Sequence, residues 1–240
     1  MSQPSLTENL LLAALPSDVL GRIAARATIT RVEESDRLFN MEEENDVFFP
    51  LGSVISLLHH FADGTEIEVA MLGSEGMAGS NVWLGVPQSP HTGLIQGAGH
   101  VARIPASEFR TGIEAEPAAK DVLRRYSHVL FMHASQLAAC NRLHVVPERL
   151  AHWLLLLHDR VDGDEMIVTQ EFLARMLATR RAGINVAVRE LTEAGAIEHR
   201  RNRIIVSDRR RLEEESCVCY EMMVAEYEKA LGFPPKRSRR

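Results

Sequence analysis

Cysteine is scarce in this 240-residue chain: there are three, Cys140, Cys217 and Cys219, and none before position 140. A disulfide framework is therefore not expected. Cys217-Val218-Cys219 is spaced more tightly than the usual zinc-binding pair, and no second Cys/His pair with ligand spacing stands near it in sequence. The two read as reduced thiols on a terminal helix, with no metal site. Long apolar runs are also missing. None reaches the roughly 18 residues of a membrane-spanning helix, and no signal-peptide pattern opens the sequence, so a cytoplasmic protein without membrane contact is expected. There is no spaced signature of a nucleophile, metal triad or converging carboxylate pair, so no catalytic residue is assigned and no enzyme is expected. Positive charge is short overall, the net being −6, which at first argues against nucleic acid.

The charge is unevenly placed, however. Ile167 to Arg211 holds ten Arg against five Asp plus Glu, a local +5 that leaves −11 for the remainder. A basic face is what contact with a polyanion requires, and an acidic remainder limits unspecific binding. Within this window, Met166 to Ser207 reads by period as two short helices and then two short strands around a basic turn, the outline of a winged helix-turn-helix. Thr169 is placed to cap a first helix, with Glu171 in its first turn and Phe172, Leu173, Met176 and Leu177 as its apolar side. Ala178-Thr179 is a tight turn, and Thr179 is expected to cap a second helix stopped by Gly195. In that helix Ile184, Ala187, Val188 and Leu191 face inward, while Arg181, Asn185 and Arg189 recur on the opposite face with Arg180 beside them. Arginine can bond the O6 and N7 of guanine and asparagine can pair with adenine, whereas Thr169, Gln170 and Thr179 suit phosphate oxygens. Ala196 to His199 and Ile204 to Val206 read as strands, and the Arg200, Arg201 and Arg203 of the intervening turn are expected along the DNA backbone.

At these residues the sequence resembles the Crp/Fnr family of bacterial transcription regulators. Val146 to Ala151, the Thr169-Gln170-Glu171 entry, Arg180-Arg181-Ala182-Gly183-Ile184 and Leu191 to Ile197 look like that family's C-terminal domain. Phe48-Phe49-Pro50 to Leu57, Asp63-Gly64 and Gly73 to Gly79 resemble its N-terminal sensor, so the likeness covers nearly the whole chain. It implies an α+β protein with an N-terminal double-stranded β-roll of the cyclic-nucleotide-binding type, a long dimerisation helix and a C-terminal winged helix-turn-helix. The expected division is 1–117 for the sensor, 118–146 for the dimerisation helix, 147–213 for DNA binding and 214–240 for a terminal helix and basic tail. The implied partners are double-stranded DNA, a second copy of the chain and RNA polymerase. The matching motif also makes Gly183 a candidate at the DNA interface.

The rest of the chain is compatible with that plan. Leu6 to Ala27 reads as helix interrupted at Pro16 and restarted by a cap at Ser17. From Thr28 to Ile104, short β-branched runs alternate with Gly, Pro, Asn and Asp: Ile29–Val32, Val47–Phe49, Val54–Leu58, Ile67–Met71, Gly93–Ile95 and His100–Ile104 are predicted strands. Asp63-Gly64 is a hairpin turn. Alternation alone fits several small β-barrels. From Ala118 to about Val145, Val122, Tyr126, Val129, Phe131, Leu137 and Leu143, with Ala134, Ala138 and Ala139, form an apolar stripe on a long helix, which the family likeness makes a dimer seam. Pro147 marks a hinge, Glu148 to His158 a further helix and Glu213 to Leu231 the terminal one.

The sensor pocket departs from the best-known relatives. Where a cyclic-nucleotide site has Gly-Glu for the ribose and Arg followed by Ser or Thr for the phosphate, this chain reads Ala78-Gly79-Ser80-Asn81 and Gln88-Ser89-Pro90-His91-Thr92. The charge partner of the phosphate and the acceptor of the ribose hydroxyl are both gone, so cAMP in the usual mode is not expected. Gly79, Ser80, Asn81, His91, Thr92 and, from the long helix, Ser135 are the candidates to line a pocket for another small effector. The absence of cysteine before Cys140 argues against an iron–sulfur sensor of the Fnr type. His59, His60, His91, His128 and His133 are conceivable haem ligands, but a lone histidine is more often a packed or surface residue, and no cofactor is required. The competing reading is a regulatory or enzymatic β-roll protein whose helical end binds a partner protein rather than DNA.

Overall fold

A computed structural model describes residues 4–44 and 46–235. The chain opens with a 3-10 turn, Leu6–Glu8, closed by a capping box between Ser5 and Glu8. It continues through α1 (Leu10–Ala13) and α2 (Ser17–Ala24), and the N-cap of α2 is Pro16, not the predicted Ser17. The predicted break at Pro16 is present, and the part before it is divided again between the 3-10 turn and α1. Asn9, fully buried, caps α1 through its Oδ1 and donates its Nδ2 to the carbonyls of Pro50 and Gly76. That asparagine fixes the N-terminus on the sheet.

Among the described residues seven strands follow: β1 (Thr28–Val32), β2 (Arg37–Phe39), β3 (Val47–Leu51), β4 (Val54–His60), β5 (Glu66–Leu72), β6 (Thr92–Gly97) and β7 (Gly99–Ile104), with the short helix α3 (Ser80–Trp83) between β5 and β6. They form two antiparallel sheets, β1-β7-β3 and β2-β6-β4-β5. All six predicted strands are present. The missed one, β2, has three residues and a broken register, too short to alternate. Between the sheets lies a core of Val32, Phe39, Phe48, Ile55, Leu57, Leu72, Ile95 and Val101.

Both outer faces are covered as well. On the β1-β7-β3 sheet, Val47, Phe49, Ala102 and Ile104 pack against α1, α2, α4 (Ala106–Glu114) and the first half of α5 (Pro117–Leu143). Residues Val54, Leu58, Met71 and Leu94 on the other sheet join a core with α6 (Val146–His158) and the C-terminal domain. Every residue of α6 from Arg149 to His158 is buried, Arg149, His152 and His158 included, because the helix is covered from both directions.

The pairing of β4 with β5 is irregular at one point. Leu57 pairs with Ala70 but Leu58 pairs with Glu68, so Val69 is an extra residue in β5. Such a bulge shifts the inward–outward alternation by one. Ala70 and Leu72 therefore face the roll interior, while Glu68 faces α6.

The C-terminal part comprises β8 (Glu165–Ile167), α7 (Gln170–Met176), α8 (Arg181–Glu193), β9 (Ile197–Arg200), β10 (Arg203–Val206), α9 (Arg209–Glu214) and α10 (Cys219–Leu231). The three strands pair in the order β8-β10-β9. The predicted terminal helix is broken between Glu214 and Cys219, and the basic tail from residue 236 lies outside the described residues.

The apolar stripe expected on α5 is divided between two faces. Val122, Tyr126 and Val129 are buried on the chain's own roll, and the Tyr126 hydroxyl accepts from the Met77 N–H and donates to the Met77 carbonyl. Phe131, Ala134, Ala138, Ala139 and Leu143 are exposed or half-buried, Phe131 at 69% and Leu143 at 73%. A helical period identifies apolar positions without showing what covers each.

Candidate nucleic-acid interface

Helix α7 begins where the Thr169 hydroxyl accepts from the Phe172 N–H at 3.1 Å, the capping that its sequence implies. It ends at Leu177, whose carbonyl accepts from the Arg149 guanidinium of α6. Ala178 then takes a left-handed φ of 46°. Thr179 does not cap the second helix. Its backbone N–H bonds the Ala174 carbonyl, which holds it in the turn, and the N-cap of α8 is the extended Arg180, without a side-chain cap. Thr179 stands against Gly183 instead: a Cβ there would lie 3.2 Å from the Thr179 Oγ1. Gly183 thus lets the turn and α8 approach closely.

Helix α8 buries Ile184, Ala187, Val188 and Leu191, and each such burial stabilises by about 1.5 to 3 kcal/mol, Ala187 by less. That inward face fixes the opposite one: Arg181, Asn185 and Arg189 are exposed, as is Arg180 at the helix start. Gly195, φ 73°, closes the helix in the left-handed conformation, and the Ala196 N–H returns to the Leu191 carbonyl. In the wing, Arg203 pairs with Arg200 across the ladder, leaving Arg201 and Asn202 at the tip with Asn202 at φ 58°. Arg200 forks onto Glu198 and Arg203 bonds Glu165. Arg189 is 3.8 Å from Glu193. Arg180, Arg181 and Arg201 form no salt bridge with any described residue. Exposed pairs of this kind are worth about 0 to 1 kcal/mol, so they yield readily to a phosphate.

Residues 148–215 match the sequence profile of the Crp-like helix-turn-helix domain. The chain therefore carries a Crp-like helix-turn-helix domain. Its fold is similar to that of a Crp/Fnr-family protein from Eubacterium rectale (TM-score 0.69, 16% identity, covering 90% of this chain and 99% of that one). FixK2 from Bradyrhizobium japonicum gives 0.68 and 16%, over 80% and 98% of the two chains. The c-di-GMP-responsive regulator CLP from Xanthomonas campestris gives 0.63 and 14%, over 80% and 100%. No curated protein matches the chain in sequence.

In this chain the candidate effector residues sit in separate local settings. Gly79, φ 90°, and half-buried Ser80 open α3, where the Asn81 Nδ2 donates to the Val86 carbonyl at 3.0 Å. The Thr92 hydroxyl accepts from the Met41 N–H. The His91 ring stands 5.9 Å from His59, and burial followed by the repulsion of His59 brings its pKa down to about 4, so it is neutral at pH 7. Ser135 is exposed and returns its hydroxyl to the Phe131 carbonyl of its own helix. A cleft of about 540 Å³ opens elsewhere, at the mouth of the roll, with Val32, Phe39, Phe48 and Val101 as its floor and Arg37, Asp46 and Arg103 at its rim. None of the six candidates lines it. No motif marked these residues, because they belong to several strands and connecting loops far apart in sequence.

Sequence reasoning also missed the contacts that join the β-roll to α6 and the helix-turn-helix domain. The carboxylate of Glu68 accepts from the Ser56 hydroxyl at 2.5 Å and from the Trp153 indole of α6 at 2.8 Å. Burial pushes its pKa up to about 7, against the opposing effects of these two hydrogen bonds and of Arg160. Arg160, just beyond α6, is buried with Glu75, its Nε donating to Oε1 at 2.9 Å. Arg175 of α7 reaches Glu66 of β5 at 3.1 Å. The cysteines were missed too: Cys140 on α5 lies beside Cys217 and Cys219, 77 residues or more downstream. The hydrogen bond from Cys140, helped by His152, holds the Cys217 thiol well below the usual range.

Proposed function

We propose that this protein is a DNA-binding transcription regulator of the Crp/Fnr type that reads a palindromic operator as a homodimer. The observation that carries this is the exposed row Arg181, Asn185 and Arg189 on α8, flanked by Arg180 and Arg201, in a Crp-like helix-turn-helix domain. A helix with such a row suits the major groove, where Arg181 meets guanine and Asn185 adenine. Thr169, Gln170, Thr179 and the wing arginines Arg200, Arg201 and Arg203 supply phosphate contacts. Ala182 occupies the place where familiar relatives carry glutamate, so cytosine is not read there.

Dimerisation uses the outer face of α5, where Phe131 and Leu143 flank the small Ala134, Ala138 and Ala139. Two recognition helices then stand about one helical turn of DNA apart. The effector is a small molecule other than cAMP bound in the usual way, and its occupancy is relayed through the Glu68–Trp153 and Glu66–Arg175 contacts. Such a regulator acts in the cytoplasm together with RNA polymerase and performs no catalysis of its own. Selection of bound duplexes from a random pool tests the reading. Recovery of an inverted repeat with half-sites one turn apart supports it. Recovery of no preferred sequence, with binding insensitive to salt, favours a partner-protein module instead.

A further inference from the structure

We propose that Cys140, His144, Cys217 and Cys219 hold one zinc ion that fastens the end of the long helix to the segment following the winged domain. The ligand atoms of these four residues all lie within 4.8 Å of one another. Cys140 Sγ is 3.5 Å from Cys217 Sγ, and Cys219 Sγ is 3.5 Å from His144 Nδ1. A tetrahedral zinc ion, with bonds of about 2.3 Å to sulfur and about 2.0 Å to nitrogen, sets neighbouring ligand atoms roughly 3.5 to 3.8 Å apart. The donors are thus close to their liganded positions. Four donors around one point leave room for a single ion, not for an iron–sulfur cluster with bridging sulfides. Three thiolates and an imidazole form a closed, soft set suited to a structural zinc rather than to a hard cation.

The surroundings fit an anionic centre. Three thiolates and a neutral histidine around Zn²⁺ carry a net −1, and the buried Arg149 guanidinium interacts electrostatically with both Cys140 and Cys217. Its Nε has no hydrogen-bond partner among the described residues. The Gln136 Nε2 donates to the Cys219 sulfur at 3.0 Å, and the His152 Nδ1 stands 3.6 Å from Cys217 Sγ and 3.8 Å from Cys140 Sγ. These are positions for outer groups that hold thiolates in place. The three cysteines are at most 5% exposed, so the ion would be shielded from solvent.

The pairing of ligands gives the site its purpose. Cys140 and His144 are one helical turn apart at the end of α5, directly before the connection at Val145. Cys217 and Cys219 follow the wing and α9. One ion therefore ties both ends of the DNA-binding domain to the long helix. The assignment stands apart from the DNA-binding reading, since a chain that bound no operator would still hold the ion.

The test uses the full chain purified under reducing conditions, with metal content measured by mass spectrometry and a parallel cobalt reconstitution followed by absorption. About one zinc per chain is expected, together with the thiolate charge-transfer and tetrahedral d–d bands of cobalt. A Cys217→Ser/Cys219→Ser double variant should lose both signals, while Gln136→Ala should weaken zinc affinity by about 10- to 100-fold. His152→Ala should keep the stoichiometry. Less than about a tenth of an equivalent of zinc after reconstitution of the reduced, folded chain would overturn the proposal. Copper in place of zinc in the protein as purified would overturn it as well. The cobalt spectrum of the unaltered chain needs no variant to fold, so the proposal remains refutable if the double variant does not.

Discussion

Glu68→Gln should make the protein more stable at neutral and higher pH while leaving it unchanged in acid. Glu68 is only 6% exposed, and burial moves its pKa from 4.5 up to about 7. The folded state therefore binds a proton more tightly than the unfolded state. Between about pH 4.5 and 7 the unfolded carboxyl loses its proton first, so stability falls as pH rises, and above 7 the loss is complete. At about 1.4 kcal/mol per unit, the whole window amounts to about 3 kcal/mol. Glutamine keeps both hydrogen bonds, accepting from the Trp153 indole and donating to the Ser56 hydroxyl, without a buried charge. His91 and His133, whose burial lowers their pKa to about 4 and about 3, give the opposite slope below pH 6.5. Their contribution cancels when the variant is compared with its parent at each pH. Denaturant midpoints between about pH 4.5 and 8 should show a difference near zero in acid, growing to about 3 kcal/mol in favour of the variant at the alkaline end. A difference that stays constant with pH, or a variant weaker at the alkaline end, would refute the reasoning.

Other substitutions probe other parts. Arg181→Ala should weaken operator binding by about 1 to 3 kcal/mol and relax preference at one base, read by competition between operator variants; unchanged preference removes Arg181 from base contact. Glu75→Gln leaves the Arg160 charge buried without its partner and should cost about 3 to 5 kcal/mol in urea unfolding, whereas Glu75→Leu with Arg160→Met should restore most of it. Additive losses in the double variant would contradict the pairing. Gly195→Ala forces a side chain into φ 73° and within 3.1 Å of the Arg211 guanidinium. It should lower stability by about 1 to 2 kcal/mol, seen as a reduced thermal midpoint.

What was legible in the sequence was local. Thr169 as a cap, the inward face of α8 and Gly195 as a stop follow from spacing and backbone chemistry within a few residues, and each stands where it was expected. Thr179 misled because a hydroxyl before an apolar period also suits a turn, and the Ala174 carbonyl decided between the two. Glu68 could not be placed: strict alternation puts it with Ala70, and only the extra residue at Val69 turns it to α6. The cysteines escaped because half of the cluster comes from α5 and half from beyond the wing, a closeness made by packing and not by spacing. The stripe on α5 was visible, but its division between the chain's own roll and the outside depends on where Tyr126 anchors.

Strand β4 is one residue thick, yet it borders two compartments. Ile55 and Leu57 belong to the interior of the roll, while Val54, Ser56 and Leu58 belong to the side on which α6 rests. Neighbouring letters of the sequence therefore have different duties, and parity along this strand separates them. Substitutions at odd positions should alter the packing inside the roll, and those at even positions how firmly α6 and the C-terminal half are seated. A single wall shared by two rooms cannot move on one side without moving on the other.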